Sequence, residues 1–93
     1  MNADYIEFDD VFDALEDDPV RRENLKLRAQ LMSEINAKID ESRQTQKELA
    51  VILETTQPRV SALRKGKINS FRLDMLFDFA VRLGLNLSLS KVA

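Results

Sequence analysis

Residues 45–67 read TQKELAVILETTQPRVSALRKGK, and two helix starts lie inside them. Thr45 with Glu48 three residues later is a capping box: the threonine hydroxyl accepts from the Glu48 amide while the glutamate reaches back to the Thr45 amide. Leu49, Ala50, Ile52 and Leu53 then give the first helix an apolar face. Thr56 caps a second helix, with Gln57 and Pro58 in its first turn, where a proline's missing N–H does no harm. Val60 and Leu63 point inward, and Gly66 ends the helix in the left-handed conformation that glycine adopts without strain. The connection at Glu54–Thr56 has the length of a helix-turn-helix turn. Small Ala50 falls where the two helices come closest.

The flanking sequence supplies a core for this pair. Asp18-Pro19 is a helix start, Asp as cap and Pro in the first turn. The helix it opens is expected to run to about Glu41, with Leu25, Ala29, Met32, Ile35 and Ile39 on one stripe and Leu27 and Leu31 beside it. Ser42-Arg43-Gln44 reads as a short loop. Ser70 is expected to cap a last helix whose inward set is Phe71, Leu73, Leu76, Phe77, Ala80 and Leu83, stopped by Gly84. Upstream, Phe8, Val11, Phe12 and Leu15 recur at i, i+3, i+4, i+7, the stripe of a short helix that must dock on something. Downstream, Leu85-Asn86-Leu87-Ser88-Leu89-Ser90 alternates as a strand does. A lone strand leaves unpaired amides and carbonyls, so Leu85, Leu87 and Leu89 are expected to pair with the same strand of a second subunit; a partner protein's sheet and a frayed tail are the alternatives.

Composition narrows the function. Ninety-three residues make one domain with a modest core, and the 44% hydrophobic and 32% charged shares fit a folded chain, not a disordered or membrane one. The longest apolar run, Met75–Val81, is interrupted by Asp78, so no segment spans a bilayer. The chain opens acidic, unlike a secretory leader. With no cysteine and no histidine, thiolate chemistry, the usual zinc ligands and the commonest neutral-pH base are missing. No nucleophile–base pair, metal cluster or phosphate loop is evident either. The expectation is a cytoplasmic protein that is not an enzyme and uses no cofactor or metal.

The net charge of −2 and pI near 5.1 conceal an asymmetry. Residues 1–18 carry eight acids and no base, which leaves 14 bases against eight acids in the remainder. Within 43–72 the bases Arg43, Lys47, Arg59, Arg64, Lys65, Lys67 and Arg72 face only Glu48 and Glu54. A phosphate backbone feels this local charge, not the whole-chain pI. A solvated charged face is the plainer reading of any basic stretch; its position on a helix-turn-helix is what favours DNA.

The same residues resemble a known family. Thr45-Gln46 with Glu48-Leu49-Ala50, then Thr56-Gln57-Pro58-Arg59-Val60-Ser61, Leu63, Lys65-Gly66-Lys67 and Leu76…Leu83-Gly84, resemble the XRE (lambda-repressor/Cro-like) helix-turn-helix domains over residues 20–92, and among them the small HigA-like antitoxins of type II toxin–antitoxin pairs. One departure stands out: the turn usually has glycine after Leu53, and here it has Glu54, at a cost on the order of 1 kcal/mol for a left-handed residue. The resemblance implies an all-α, lambda-repressor-like helix-turn-helix bundle of about five helices, with a short C-terminal β-strand pairing across a dimer. Residues 1–18 form its acidic N-terminal segment with the short amphipathic helix, 19–84 the DNA-binding domain and 85–93 the dimerisation strand.

In this motif the second helix enters the major groove while the first crosses the backbone. The set expected to face DNA is Gln46, Thr56, Gln57, Arg59, Ser61, Arg64, Lys65, Lys67, Ser70 and Arg72. Gln57 can pair with an adenine edge; it is otherwise a first-turn polar residue. Arg59 can fork onto guanine or grip a phosphate, Ser61 can reach either, and Ala62 suits a thymine methyl. Gln46 would hold a phosphate beside exposed amides. Lys65, Lys67, Ser70 and Arg72 would follow the strand backbone, with Arg43 and Lys47 on the other side, while Arg64 is equally a solvated or ion-paired arginine. One such motif reads few base pairs, so a homodimer on a palindromic operator is expected, its half-sites about 34 Å apart.

The acidic N-terminus would repel DNA and must point away from it. Its stripe, Phe8, Val11, Phe12 and Leu15, either lies in a groove of a basic partner or folds back on its own domain. The resemblance implies a partner: a small basic mRNA-cleaving toxin of the RelE/HigB kind. The expected function is thus a DNA-binding antitoxin and autorepressor. The competing readings are a free-standing or phage-type regulator without a toxin and a protein-interaction module whose helix-turn-helix is only structural.

Overall fold

The computed structural model describes residues 18–89. Four α-helices follow one another: α1 Pro19–Ser42, α2 Gln46–Ile52, α3 Gln57–Arg64 and α4 Leu73–Arg82, with a 3-10 turn at Ile68–Ser70 between the last two. The expected short helix over Phe8–Leu15 lies outside the described residues. Asp18 caps α1 by accepting from the amides of Val20 (3.1 Å) and Arg21 (3.2 Å), and Pro19 sits in the first turn. Leu25, Leu31, Met32, Ile35 and Ile39 line its buried side, and it ends at Arg43, whose φ of 55° is left-handed. Leu27, placed beside that stripe by spacing, remains 44% exposed.

α1 is the spine. It lies chiefly along α4 and also meets α3 and the 3-10 turn, while α2 packs on α3. Leu25, Ile35, Val60, Leu63 and Leu76 are fully covered, each burial contributing about 1.5–3 kcal/mol before chain entropy is counted. No buried residue is polar or charged among those described. Every tie made by a polar side chain therefore lies at the margin of the core.

The capping box at Thr45 forms as expected: the Thr45 amide donates to the Glu48 carboxylate at 2.8 Å and the Glu48 amide to the Thr45 hydroxyl at 3.1 Å. These bonds, the backbone one first and the Thr45 side chain second, hold the Glu48 carboxyl below its ordinary value. Thr56 likewise accepts from the Arg59 amide at 3.3 Å.

Three helices then end in the same way. After α2 the Glu54 amide donates to the Val51 carbonyl (3.2 Å) and Thr55 to Ala50 (2.9 Å); after α3, Gly66 to Leu63 and Lys67 to Ala62 (both 3.1 Å); after α4, Gly84 to Val81 and Leu85 to Ala80 (both 3.0 Å). This is the Schellman pattern, which needs a left-handed residue at its pivot. The pivots are Glu54 (φ 54°), Gly66 (72°) and Gly84 (84°). Glu54 thus does what its place in the turn demands despite carrying a side chain.

Four expectations change. Ser70 does not cap the last helix: it belongs to the 3-10 turn, and α4 begins after Arg72 with no side-chain cap. Phe77 is half exposed and Phe79 is buried in its place. The two flank the stripe Leu73–Leu76–Ala80–Leu83 at about 80° on opposite sides, so spacing cannot choose between them. The choice falls to Phe71, whose ring meets Phe79 edge-on at 6.1 Å between centroids. The tail at 85–89 has no regular secondary structure, so the expected strand is not formed among the described residues. Leu85 instead closes α4 through its amide and packs on the core. The count of helices is four over 18–89.

Candidate nucleic-acid interface

α3 is seated by Val60 and Leu63, both 0% exposed. At 100° per residue the direction opposite this pair carries Pro58, Ser61, Ala62 and Lys65, and Gln57 stands about 90° from the pair, beside Ser61 on the Arg64 side. Gln57, Pro58 and Lys65 are exposed, and Ser61 and Ala62 half-buried. The outward edge therefore presents an amide, a hydroxyl, a methyl group and an ammonium on a helix whose own core contacts are complete. Thr56 is exposed at the head of this edge, its hydroxyl already engaged as the cap.

The two arginines of α3 lie elsewhere. Arg59 and Arg64 flank the buried pair at about 70° to either side, and each is held by a neighbour. The Arg59 guanidinium stacks over Phe71, 4.5 Å from the ring centroid, with Nη2 3.5 Å from the Met75 sulfur. Arg64 turns back to α1: its Nη1 donates to the Asn36 carbonyl (3.1 Å) and side-chain oxygen (2.8 Å), and Nη2 pairs with Asp40. Asn36 in turn donates to the Leu63 carbonyl at 3.0 Å, which also accepts from the Gly66 amide at the end of α3. Of the two readings of Arg64, the ion-paired one describes its place here.

After α3 the chain carries Lys65, Lys67, Ser70 and Arg72, all exposed. Lys65 and Lys67 pair with no carboxylate among the described residues, and Arg72 lies 3.4 Å from Asp74. This loop is held from behind. Arg28 of α1 donates through Nη1 to the carbonyls of Ile68 (3.2 Å) and Phe71 (3.1 Å), its Nε bound to Asn24 at 2.8 Å. On the opposite side of α3, Gln46 is exposed at the first position of α2 and lines a shallow hollow with Asp40, Arg43 and Arg64. Lys47 is exposed beside it.

The structure thus brings together Gln57, Ser61 and Lys65 on one edge and Lys67, Ser70 and Arg72 on the following loop, and sets Gln46 and Arg64 apart in the hollow at the end of α1. The partner-binding candidates Phe8, Val11, Phe12 and Leu15 lie outside the described residues. Of the dimerisation candidates, Leu85 is partly covered by its own core, while Leu87 (40%) and Leu89 (99%) are exposed, as are Phe77 and Val81 on α4.

Sequence reasoning missed Arg28, Asn36 and Arg82. Arg28 and Asn36 support the interface from α1, and Arg82 pairs with Glu54 from α4. Each bond bridges positions 27 or more apart in the chain, and no local spacing announces such partners. The one available signal was Glu54, a carboxylate at a glycine position, which needed a reason to be there.

A family model described as a helix-turn-helix domain matches residues 14–90. No curated protein matches the chain.

Proposed function

The chain belongs to the helix-turn-helix domain family, and on that premise we propose that it is a sequence-specific DNA-binding repressor that acts as a homodimer and neutralises a toxin. The observation that carries DNA binding is the outward edge of α3. Val60 and Leu63 seat the helix in the core behind it, so the Gln57 amide and the Ser61 hydroxyl are not needed for the core, while Ala62 only partly packs on it. Gln57 in the first turn reads a base edge, with Ser61 and Ala62 following along the groove. Lys65, Lys67, Ser70 and Arg72 hold the phosphate backbone and fix the register. Gln46 meets the backbone across the groove.

Two copies are required for specific affinity, since one module buries too little surface to reach it at physiological salt. Exposed Phe77 and Val81 on α4, together with Leu87 and Leu89, are the apolar groups offered to a second copy. The antitoxin role rests on charge: eight acids and no base within 1–18 suit a basic, RNA-binding toxin of the RelE/HigB kind. The alternative is a regulator with no toxin.

Two measurements divide these readings. The full chain, mixed with a duplex from upstream of its own gene, gives a shifted band at low salt; a pure interaction module gives none. The product of a neighbouring small basic reading frame co-purifies with the chain, and deleting residues 1–17, which spares the Asp18 cap, abolishes neutralisation without changing the shift. Neutralisation by the truncated chain would remove the acidic segment from the mechanism.

A further inference from the structure

The DNA-binding reading leaves open whether Arg59 reads a base or grips a phosphate. We propose that Arg59 is a phosphate-gripping residue, fixed by Phe71 so that α3 and the loop after it engage the backbone as one unit. The inference rests on the DNA-binding function proposed above and assigns a role within it.

Three observations carry it. First, Arg59 stands at the flank of α3, on the side of the loop and α4, away from the edge that bears Gln57 and Ser61. A groove reader belongs on that edge. Second, the guanidinium lies over Phe71, 4.5 Å from its centroid, and its Nη2 donates to the Met75 sulfur at 3.5 Å. Nε and Nη1 have no acceptor among the described residues, and these are the donors a phosphate oxygen can take. Phe71 itself lies between Ser70 and Arg72, both exposed, so the guanidinium sits beside the two loop residues best placed on the backbone. Third, Arg59 is half-buried and pairs with no carboxylate among the described residues, unlike Arg64 and Arg82. A partly desolvated cation without a counter-ion is a standing site for an anion.

Phe71 is anchored by its ring, which meets both Arg59 and Phe79, and by its carbonyl, which accepts from Arg28 at 3.1 Å. Moving the loop therefore drags the guanidinium with it. The base-reading edge and the phosphate grip keep a fixed separation, which is what register on a duplex requires.

The test uses the full chain, a duplex that it selects from a randomised pool, and an unrelated duplex of equal length, with affinities measured across salt. Arg59→Met keeps an apolar cover on Phe71 and removes the charge. It should weaken both duplexes by a similar factor, about tenfold, lower the salt slope by about 0.9, and leave the selected sequence unchanged. Arg59→Lys should keep the slope. Relaxed preference at one base pair, with binding to the unrelated duplex intact, would make Arg59 a base reader and overturn the assignment. An unchanged slope and affinity in a folded Arg59→Met chain would reduce it to packing. Failure of the unaltered chain to bind any duplex would overturn the DNA-binding reading itself, and this assignment with it.

Discussion

The joints on either side of α3 are built differently. Before it, Leu53–Thr56 is a tight turn pivoting on Glu54, which holds a left-handed φ of 54° and pairs with Arg82 of α4. After it, the chain pivots on Gly66 and runs through the 3-10 turn, held by Arg28 and by the Arg59–Phe71 stack. The first joint carries no cation and sets the angle between α2 and α3. The second carries Lys65, Lys67 and Arg72 and is fixed where its backbone, Ile68 and the Phe71 ring face inward. The difference separates two tasks that a helix-turn-helix must perform: aiming the helix and holding the duplex. A strained pivot suffices for the first, because Ala50 and the core define the angle; the second needs many exposed side chains on a loop that does not move.

The largest effect is expected at the second joint. Arg28→Ala leaves the Phe71 carbonyl without its Arg28 donor and the Ile68 carbonyl with the Phe71 amide alone, a loss of about 1–3 kcal/mol for part-buried acceptors, read as a lower midpoint in urea. It should also weaken binding to every duplex while the preferred sequence stays the same. If stability falls and DNA affinity does not, the loop is not the grip.

A smaller effect tests the first joint. Glu54→Gly relieves about 1 kcal/mol of left-handed strain and loses an ion pair whose side chains are 66% and 40% exposed, worth about 0–1 kcal/mol. Glu54→Ala loses the pair and keeps the strain. The glycine variant should therefore match or exceed the parent in thermal midpoint, and the alanine variant should fall below the glycine one by about 1 kcal/mol. Equal midpoints for the two variants would show that the turn is not strained.

The smallest effect concerns the cap of α2. Glu48 is held below its ordinary carboxylate value by the Thr45 bonds. Its folded value lies beneath its unfolded one, so its contribution is complete above the ordinary range and is lost as pH falls through the folded value. Acid titration of stability should show this loss in the parent and not in Glu48→Gln. Identical acid curves would contradict the reciprocal cap.

Much of this was legible in residues 45–67. Capping boxes, cap threonines and left-handed pivots act over three to five positions, so Thr45, Glu48, Thr56 and Gly66 could be placed from spacing alone, and Glu54 from the glycine that the resembled family carries in its place. The bundle's apolar stripes followed for the same reason. What spacing could not decide was settled by contacts between distant segments. Phe79 is chosen over Phe77 by Phe71; Arg64 is drawn to Asp40 and Asn36 on α1; Leu85 is claimed by the end of α4 instead of a strand. The candidate site was read as one basic face, yet its arginines divide: Arg64 braces α1, Arg59 stacks on the loop, and Arg72 remains outward.

The central claim is that the exposed edge of α3 bearing Gln57, Ser61 and Lys65 reads DNA. Selecting duplexes from a randomised pool with the full chain, then repeating with Gln57→Ala, tests it most directly. The account predicts a palindromic consensus for the parent, bound at least 10³-fold more tightly than unrelated duplex, and loss of preference at one symmetric pair of positions for the variant, costing about 1–3 kcal/mol per half-site. An unchanged consensus for the variant, or no enrichment by the parent even in dilute salt, would contradict it.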